Sequence, residues 1–152
     1  QELKGRLAIA NAKLAYQHYK DVFSGRRWED LATAGARKQR PLWASTSAKD
    51  PHYRDTRYVE ELIGPETIST MPEATIRAFQ DHGRVSSTLE RDVDEARALF
   101  TELARVGIDY DDVVATLESE GVAKFVQSFD KLLGLVAAKG PKTLAARGAP
   151  EL

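Results

Sequence analysis

Three hydroxyls and one ammonium fall within five consecutive residues, Ser45-Thr46-Ser47-Ala48-Lys49, directly after the apolar stretch Pro41-Leu42-Trp43-Ala44. Hydroxyls can donate to and accept from sugar hydroxyls or phosphate oxygens. Lys49 adds a compact positive charge suited to phosphate. The plain alternative is that the hydroxyls satisfy loop backbone and that Lys49 is solvated. A second polar strand end is Ser69-Thr70-Met71-Pro72. Other reactive residue types are scattered. His18, His52 and His82 lack a paired ligand spacing, so no metal site is expected. Asp92 and Asp94, and the group Asp109, Asp111 and Asp112, each precede a helical pattern, where acids favour the helix dipole. Gly140-Pro141-Lys142-Thr143 lacks the upstream glycine and strand of a phosphate-binding loop. Trp43 could stack on a substrate, although a wall or core position is the commoner use of such a ring.

The elements that must position these residues are mostly helical. Residues 3–23 carry Leu7, Ala10 and Leu14, with an adjoining stripe of Ala8, Ala12, Ala15, Tyr19 and Phe23. That spacing predicts an amphipathic helix with a small-residue face, ended by Ser24-Gly25. Residues 26–33 predict a second, short helix with Trp28, Leu31 and Ala32 inward, closed by Gly35. Residues 41–45 read as a short buried strand and residues 67–71 as a second short strand candidate. Between them come a polar loop over 46–57 and one or two helical turns over 58–63, stopped by Gly64-Pro65. Pro72 suits the first turn of a helix reaching Gly83, with Thr70 as its cap. Further helices are expected from Val93 to Gly107, from an Asp109 cap to Gly121, and along Phe125, Phe129, Leu132, Leu133 and Val136. Gly140-Pro141 should break the last one. The organisation expected is one body over 1–139 and a loose tail over 140–152.

About 20 residues and a helical segment separate the two strands, which suits a parallel crossover rather than a hairpin. In parallel α/β folds ligands sit at the carboxyl ends of strands, where Ser45 to Lys49 lie. Parallel sheets usually have several strands, and two short ones leave unpaired edges. The remaining strands are therefore expected upstream of Gln1 or in another chain.

Composition bounds the partners. The chain has 152 residues with a formal net charge of -1, from 22 basic and 23 acidic side chains. Such balance argues against nucleic acid, which needs a concentrated basic face. There is no cysteine, hence neither disulfides nor thiolate metal ligands. No apolar run approaches the roughly 20 residues of a membrane span. These features fit a cytoplasmic protein.

Several longer phrases occur in order. Leu42-Trp43-Ala44-Ser45-Thr46 with Lys49-Asp50-Pro51 is followed by Tyr58-Val59-Glu60-Glu61-Leu62-Ile63-Gly64-Pro65, then by Thr67-Ile68-Ser69-Thr70-Met71-Pro72-Glu73. Together with Gly5-Arg6-Leu7-Ala8-Ile9-Ala10-Asn11-Ala12 and Gly107-Ile108-Asp109-Tyr110, they resemble the bacterial transaldolase family. The resemblance is closest to its longer branch, which includes fusions to glucose-6-phosphate isomerase, and extends to about Lys139. It implies that this chain is the C-terminal part of a (β/α)8 TIM barrel, with the last two strands and the helices after them. It further implies a pentose phosphate pathway transferase that moves a dihydroxyacetone unit between sugar phosphates. A lysine Schiff base serves as electron sink, without metal or organic cofactor.

The family's Schiff-base lysine and acid–base carboxylates lie on earlier strands, so no catalytic residue is expected in this chain, which alone should be inactive. Lys49 matches the family's phosphate-side basic position, and Ser45 a hydroxyl near the same end of the substrate. Ser47 occupies a small-residue position in the loop. The expected partners are sugar-phosphate substrates and the N-terminal barrel portion. The Phe125–Phe129 stripe could cover a barrel mouth or join a homo-oligomer, with ordinary packing as the default. Two other readings are a related sugar-phosphate aldolase and a non-catalytic helical binding module left from a split enzyme.

Overall fold

The structure is a computed structural model that describes residues 3–146, with side chains through residue 140. It divides into two units, 1–106 and 107–152. The first is a helix-rich α/β unit built around a long first helix.

That helix, α1 (Leu7–Val22), buries Ile9, Ala10, Lys13, Tyr16 and Tyr19. The expected face is only partly the observed one: Ala8 and Ala15 are exposed, and Ile9 and Tyr16 take the inward line. Two clusters share this stripe. Ile9, Tyr16 and Tyr19 pack with Leu62 and Leu89, whereas Ala10 packs with Ala96, Leu99 and Leu103. Large side chains bury more apolar area than alanine, so they set which way the helix rotates. Lys13 is the unexpected member. Its ammonium donates to the Arg91 carbonyl at 3.1 Å and lies 3.7 Å from the Glu61 carboxylate. Those partners offset the cost of burying a charge.

Helix α2 (Gly25–Thr33) follows where expected. It ends in a two-bond C-terminal motif: Gly35 N–H donates to Ala32 and Ala36 N–H to Leu31, with Gly35 at φ +96°. The expected inward set is corrected, because Leu31 and Ala32 are exposed. Trp28 alone turns in, edge-on to Phe23 with ring centroids 4.8 Å apart.

Strands β1 (Leu42–Trp43) and β2 (Ile68–Ser69) pair in parallel, Leu42 opposite Ile68 and Trp43 opposite Ser69. The crossover between them contains the single-turn helix α3 (Arg57–Glu60). Burial of the first strand is only partial, since Leu42 is half exposed; Ile68 and Ser69 of the second are intermediate. Among the described residues this sheet has two strands, so no further strand shields its outer edges.

After β2, Pro72 takes the N-cap position of α4 (Glu73–His82) rather than the first turn. Thr70 does not cap this helix. Its hydroxyl lies 3.5 Å from the Trp43 carbonyl, which draws it toward β1 instead. The chain then returns through Thr88 and Leu89, whose N–H groups both donate to the Ile63 carbonyl at 3.0 Å. Helix α5 (Val93–Arg105) buries Ala96, Leu99 and Leu103 against α1.

The second unit contains α6 (Tyr110–Ala146), 37 residues long. Asp109 caps it as expected, accepting from Asp111 N–H at 3.0 Å and Asp112 N–H at 3.3 Å. The expected ends at Gly121 and Gly140-Pro141 are corrected, because the helix runs through both. A glycine inside a helix costs about 1 kcal/mol relative to alanine but still donates and accepts in the ladder. Pro141 removes one donor within the last two turns, where few further bonds depend on it. Part of the tail expected over 140–152 thus lies in α6, and residues 147–152 lie outside the described ones. The Phe125–Phe129 stripe is exposed, Phe125 at 82% and Phe129 at 60%, so the default expectation of packing is not met among the described residues. No helix among them is long and apolar enough to cross a membrane.

Candidate functional site

Two local features shape the chain as it leaves β1. Ser45 adopts φ +56°, a left-handed conformation that a side chain seldom takes. The next residue, Thr46, is buried at 4% exposure, and its hydroxyl donates to the Thr70 carbonyl at 3.0 Å. Ser69 Oγ lies a further 3.4 Å from Thr46 Oγ1. The ends of both strands therefore meet at one hydroxyl.

The loop over 47–56 is tied down again at its far end. Thr56 is fully buried and donates to Glu60 Oε1 at 3.0 Å, and Arg54 forms a 3.0 Å ion pair with the same carboxylate. Tyr53 lies under the Arg57 guanidinium, 4.6 Å from carbon to ring centroid. Arg57 in turn donates to the Gly5 carbonyl at 3.0 Å.

Between these anchors, Ser45, Ser47 and Lys49 line one cleft of about 450 Å³. The structure thus brings together all three site residues singled out from the sequence. Lys49 Nζ donates to Ser47 Oγ at 2.7 Å, so the ammonium is already placed over a hydroxyl. Asp50 follows on the same rim. The backbone N–H of His52, then its imidazole, hydrogen-bond to Asp50 and hold its carboxyl below the usual carboxylate range. Asp50 is thus hydrogen-bonded to His52 rather than to the lysine. Ser69 reaches Thr46, but neither Ser69 nor Thr70 lines the cleft.

The opposite wall is apolar: Ala8 and Ala12 of α1, Trp43, Tyr58 and Leu62. The indole N–H of Trp43 is buried without a hydrogen-bond partner. Its ring packs against the Ile9–Tyr16–Leu89 cluster, as the core reading of this tryptophan anticipated. A second cleft, of about 210 Å³, lies between α1 and α5. Its cations Arg6, Lys13 and Arg57 face the acids Glu61, Asp92 and Glu95, so little net charge is left for an ionic ligand. The first cleft is the candidate site because its rim joins hydroxyls to a lysine.

Sequence reasoning missed two features here. Thr46 was counted as one hydroxyl among three, and nothing local marks it as the buried one. The left-handed turn at Ser45 had no glycine or asparagine to announce it.

Residues 1–136 match the family model described as Transaldolase/Fructose-6-phosphate aldolase. A Transaldolase of Frankia alni is 55% identical over 136 residues, covering 89% of this chain and 37% of that protein. A Transaldolase of Thermobifida fusca is 54% identical over 136 residues, with the same coverage of 89% and 37%. Transaldolase 1 of Streptomyces coelicolor is 51% identical over 147 residues, covering 96% and 38%. The chain spans little more than a third of the length of these curated relatives.

Proposed function

The chain belongs to the Transaldolase/Fructose-6-phosphate aldolase family, and on that premise we propose that it forms the phosphate-side part of a cytoplasmic transaldolase. In this reading the enzyme moves a dihydroxyacetone unit from a ketose phosphate to an aldose phosphate, in the pentose phosphate pathway. The observation that carries the proposal is the convergence of Ser45, Ser47 and Lys49 on one cleft at a strand's carboxyl end. Lys49 supplies charge, and the two serines supply hydrogen bonds to phosphate or sugar oxygens.

Lys49 is not the nucleophile in this proposal. It is exposed, on a loop, and already hydrogen-bonded to Ser47. A Schiff-base lysine needs a desolvated setting that lowers its pKa. That lysine and the acid–base carboxylates come from parts of the enzyme outside this stretch. The sheet supports the same view. Strands β1 and β2 pair in parallel, as neighbouring strands of a (β/α)8 barrel would. Transaldolase is preferred to a sugar-phosphate aldolase because the relatives quoted above carry the former name.

The test uses fructose 6-phosphate. In an enzyme of the family's full length containing this stretch, Lys49→Ala should raise the donor's KM by about tenfold or more, the worth of a charged hydrogen bond. Unchanged donor and acceptor KM values would remove Lys49 from the site. The 152-residue chain alone should show no turnover of fructose 6-phosphate with erythrose 4-phosphate. Measurable turnover would mean that the nucleophile lies within it.

A further inference from the structure

We propose that Thr46 is the positioning residue of this site: its hydroxyl ties the 45–49 turn to the end of β2 and presets the spacing of Ser45, Ser47 and Lys49. The inference rests on the phosphate-side reading above and adds a residue whose hydroxyl is committed to the protein's own backbone.

Three observations carry it. Thr46 is 4% exposed, whereas Ser45 before it is exposed and Ser47 after it is half-buried, so the buried side chain anchors a turn that opens to solvent. Its Oγ1 donates to the Thr70 carbonyl at 3.0 Å, just past the last ladder residue, Ser69. It also lies 3.4 Å from Ser69 Oγ, so a single oxygen touches the last residue of β2 and the one after it. Burial alone would be met equally well by valine, which has nearly the same shape. The hydroxyl therefore needs its own explanation, and the bond to β2 supplies it. The bond has a mechanical role because Ser45, immediately before it, is held at φ +56°. A left-handed residue without glycine's freedom stays in place only when its surroundings over-determine it. The Thr46 bond is the nearest such constraint. With the turn fixed in advance, less ordering remains for the ligand to impose.

The experiment measures fructose 6-phosphate and inorganic phosphate binding by phosphorus NMR, and amide hydrogen exchange over 45–49, on an enzyme of the family's full length containing this stretch. The variants are Thr46→Val, Thr46→Ser and Lys49→Ala. Thr46→Val should weaken binding on the order of tenfold and speed exchange over 45–49, and Thr46→Ser should restore both. If Thr46→Val binds like wild type while Lys49→Ala is weakened, the positioning role is wrong and the phosphate-side reading stands. If Lys49→Ala binds like wild type, or wild type does not bind, that reading falls. Exchange then decides Thr46 separately, and unchanged rates in Thr46→Val overturn it. Should Thr46→Val fail to fold, Thr46→Ser and Thr46→Ala differ only in the hydroxyl. Equal binding and exchange in that pair would overturn the proposal.

Discussion

Gly64→Ala should destabilise the first unit even though Gly64 does not adopt a left-handed φ. The reason is the approach of Leu89. A Cβ at residue 64 would lie 2.6 Å from Leu89 Cδ2, 2.8 Å from its Cβ and 3.2 Å from its Cγ. Carbon atoms prefer about 3.5–4.0 Å, so the overlap is close to 1 Å. Rotating Leu89 can move Cδ2 but cannot move Cβ. The backbone is also tied, since Leu89 N–H donates to the Ile63 carbonyl at 3.0 Å. Leu89 is fully buried against Ile9, Tyr16, Tyr19 and Leu62, so it has no free space behind it. Overpacking of this kind costs about 1–3 kcal/mol. Replacing glycine also restricts the unfolded chain, a gain of about 0.4–1 kcal/mol. The clash wins, leaving a net loss of about 1–2 kcal/mol. Urea unfolding followed by tryptophan fluorescence is the assay, because Trp43 packs against this same cluster. Leu89→Ala alone should cost about 2–5 kcal/mol. In that background the Gly64→Ala penalty should shrink, giving a coupling energy of about 1 kcal/mol. A Gly64→Ala midpoint equal to or above wild type, or additive double-mutant effects, would refute the packing argument.

His82 offers a pH test. Asp55 at 2.9 Å, and then Asp81 at 3.0 Å, hydrogen-bond to its ring and raise its pKa above the ordinary histidine value, against a smaller desolvation effect. Asp55 is lowered in turn, chiefly by His82. Arg54, which donates to the His82 carbonyl, and Glu60 complete the local charges. A raised histidine stabilises fully below its unfolded pKa of about 6.5 and loses that contribution as pH rises through the folded value. The lowered Asp55 contributes above its unfolded pKa of about 3.9 and loses this as pH falls through its folded value. Ring NMR should therefore place His82 above 6.5, and His82→Gln should flatten the pH dependence of amide exchange over 54–57; a ring titrating at or below 6.5 would be contrary. Gly121→Ala and Gly134→Ala should each strengthen α6 by about 0.5–1 kcal/mol, since a Cβ at either position meets nothing within 4 Å. Circular dichroism melts would show this as higher helicity, and a loss of helicity would contradict it.

What could be read from the sequence followed how local the governing rule is. The Asp109 cap depends on residues two and three positions on, and it was legible. So was the parallel pairing of β1 and β2, because the length of their connection rules out a hairpin. Ser45, Ser47 and Lys49 share a cleft largely because they share a turn. The depth of burial was not legible. Leu31 looks like a core residue, but it is left about half exposed. Lys13 looks like a surface residue, but Glu61 and Arg91, 48 and 78 positions away, give it partners. Gly121 was read as a stop because glycine serves both at helix ends and, at some cost, inside helices. Only its backbone conformation separates the two uses, and Gly121 is absent from the positive-φ glycines.

The pairing of α1 with α5 also sets an order for folding. The contact of Lys13 with Arg91 closes a loop of 78 residues, whereas β1 and β2 are 26 residues apart in register. Loop-closure entropy grows only logarithmically, so the longer closure costs about 1 kcal/mol more than the shorter one. Isolated helices the length of α1 are marginal in water. Helix α1 is therefore stabilised in part by an element that begins only at Val93, and its Ala10 stays wet until α5 arrives. During synthesis, α1 would leave the ribosome long before its partner. The α5 half of its packing should form only when residues through Leu103 are available, which makes completion of this unit a late, long-range and cooperative event.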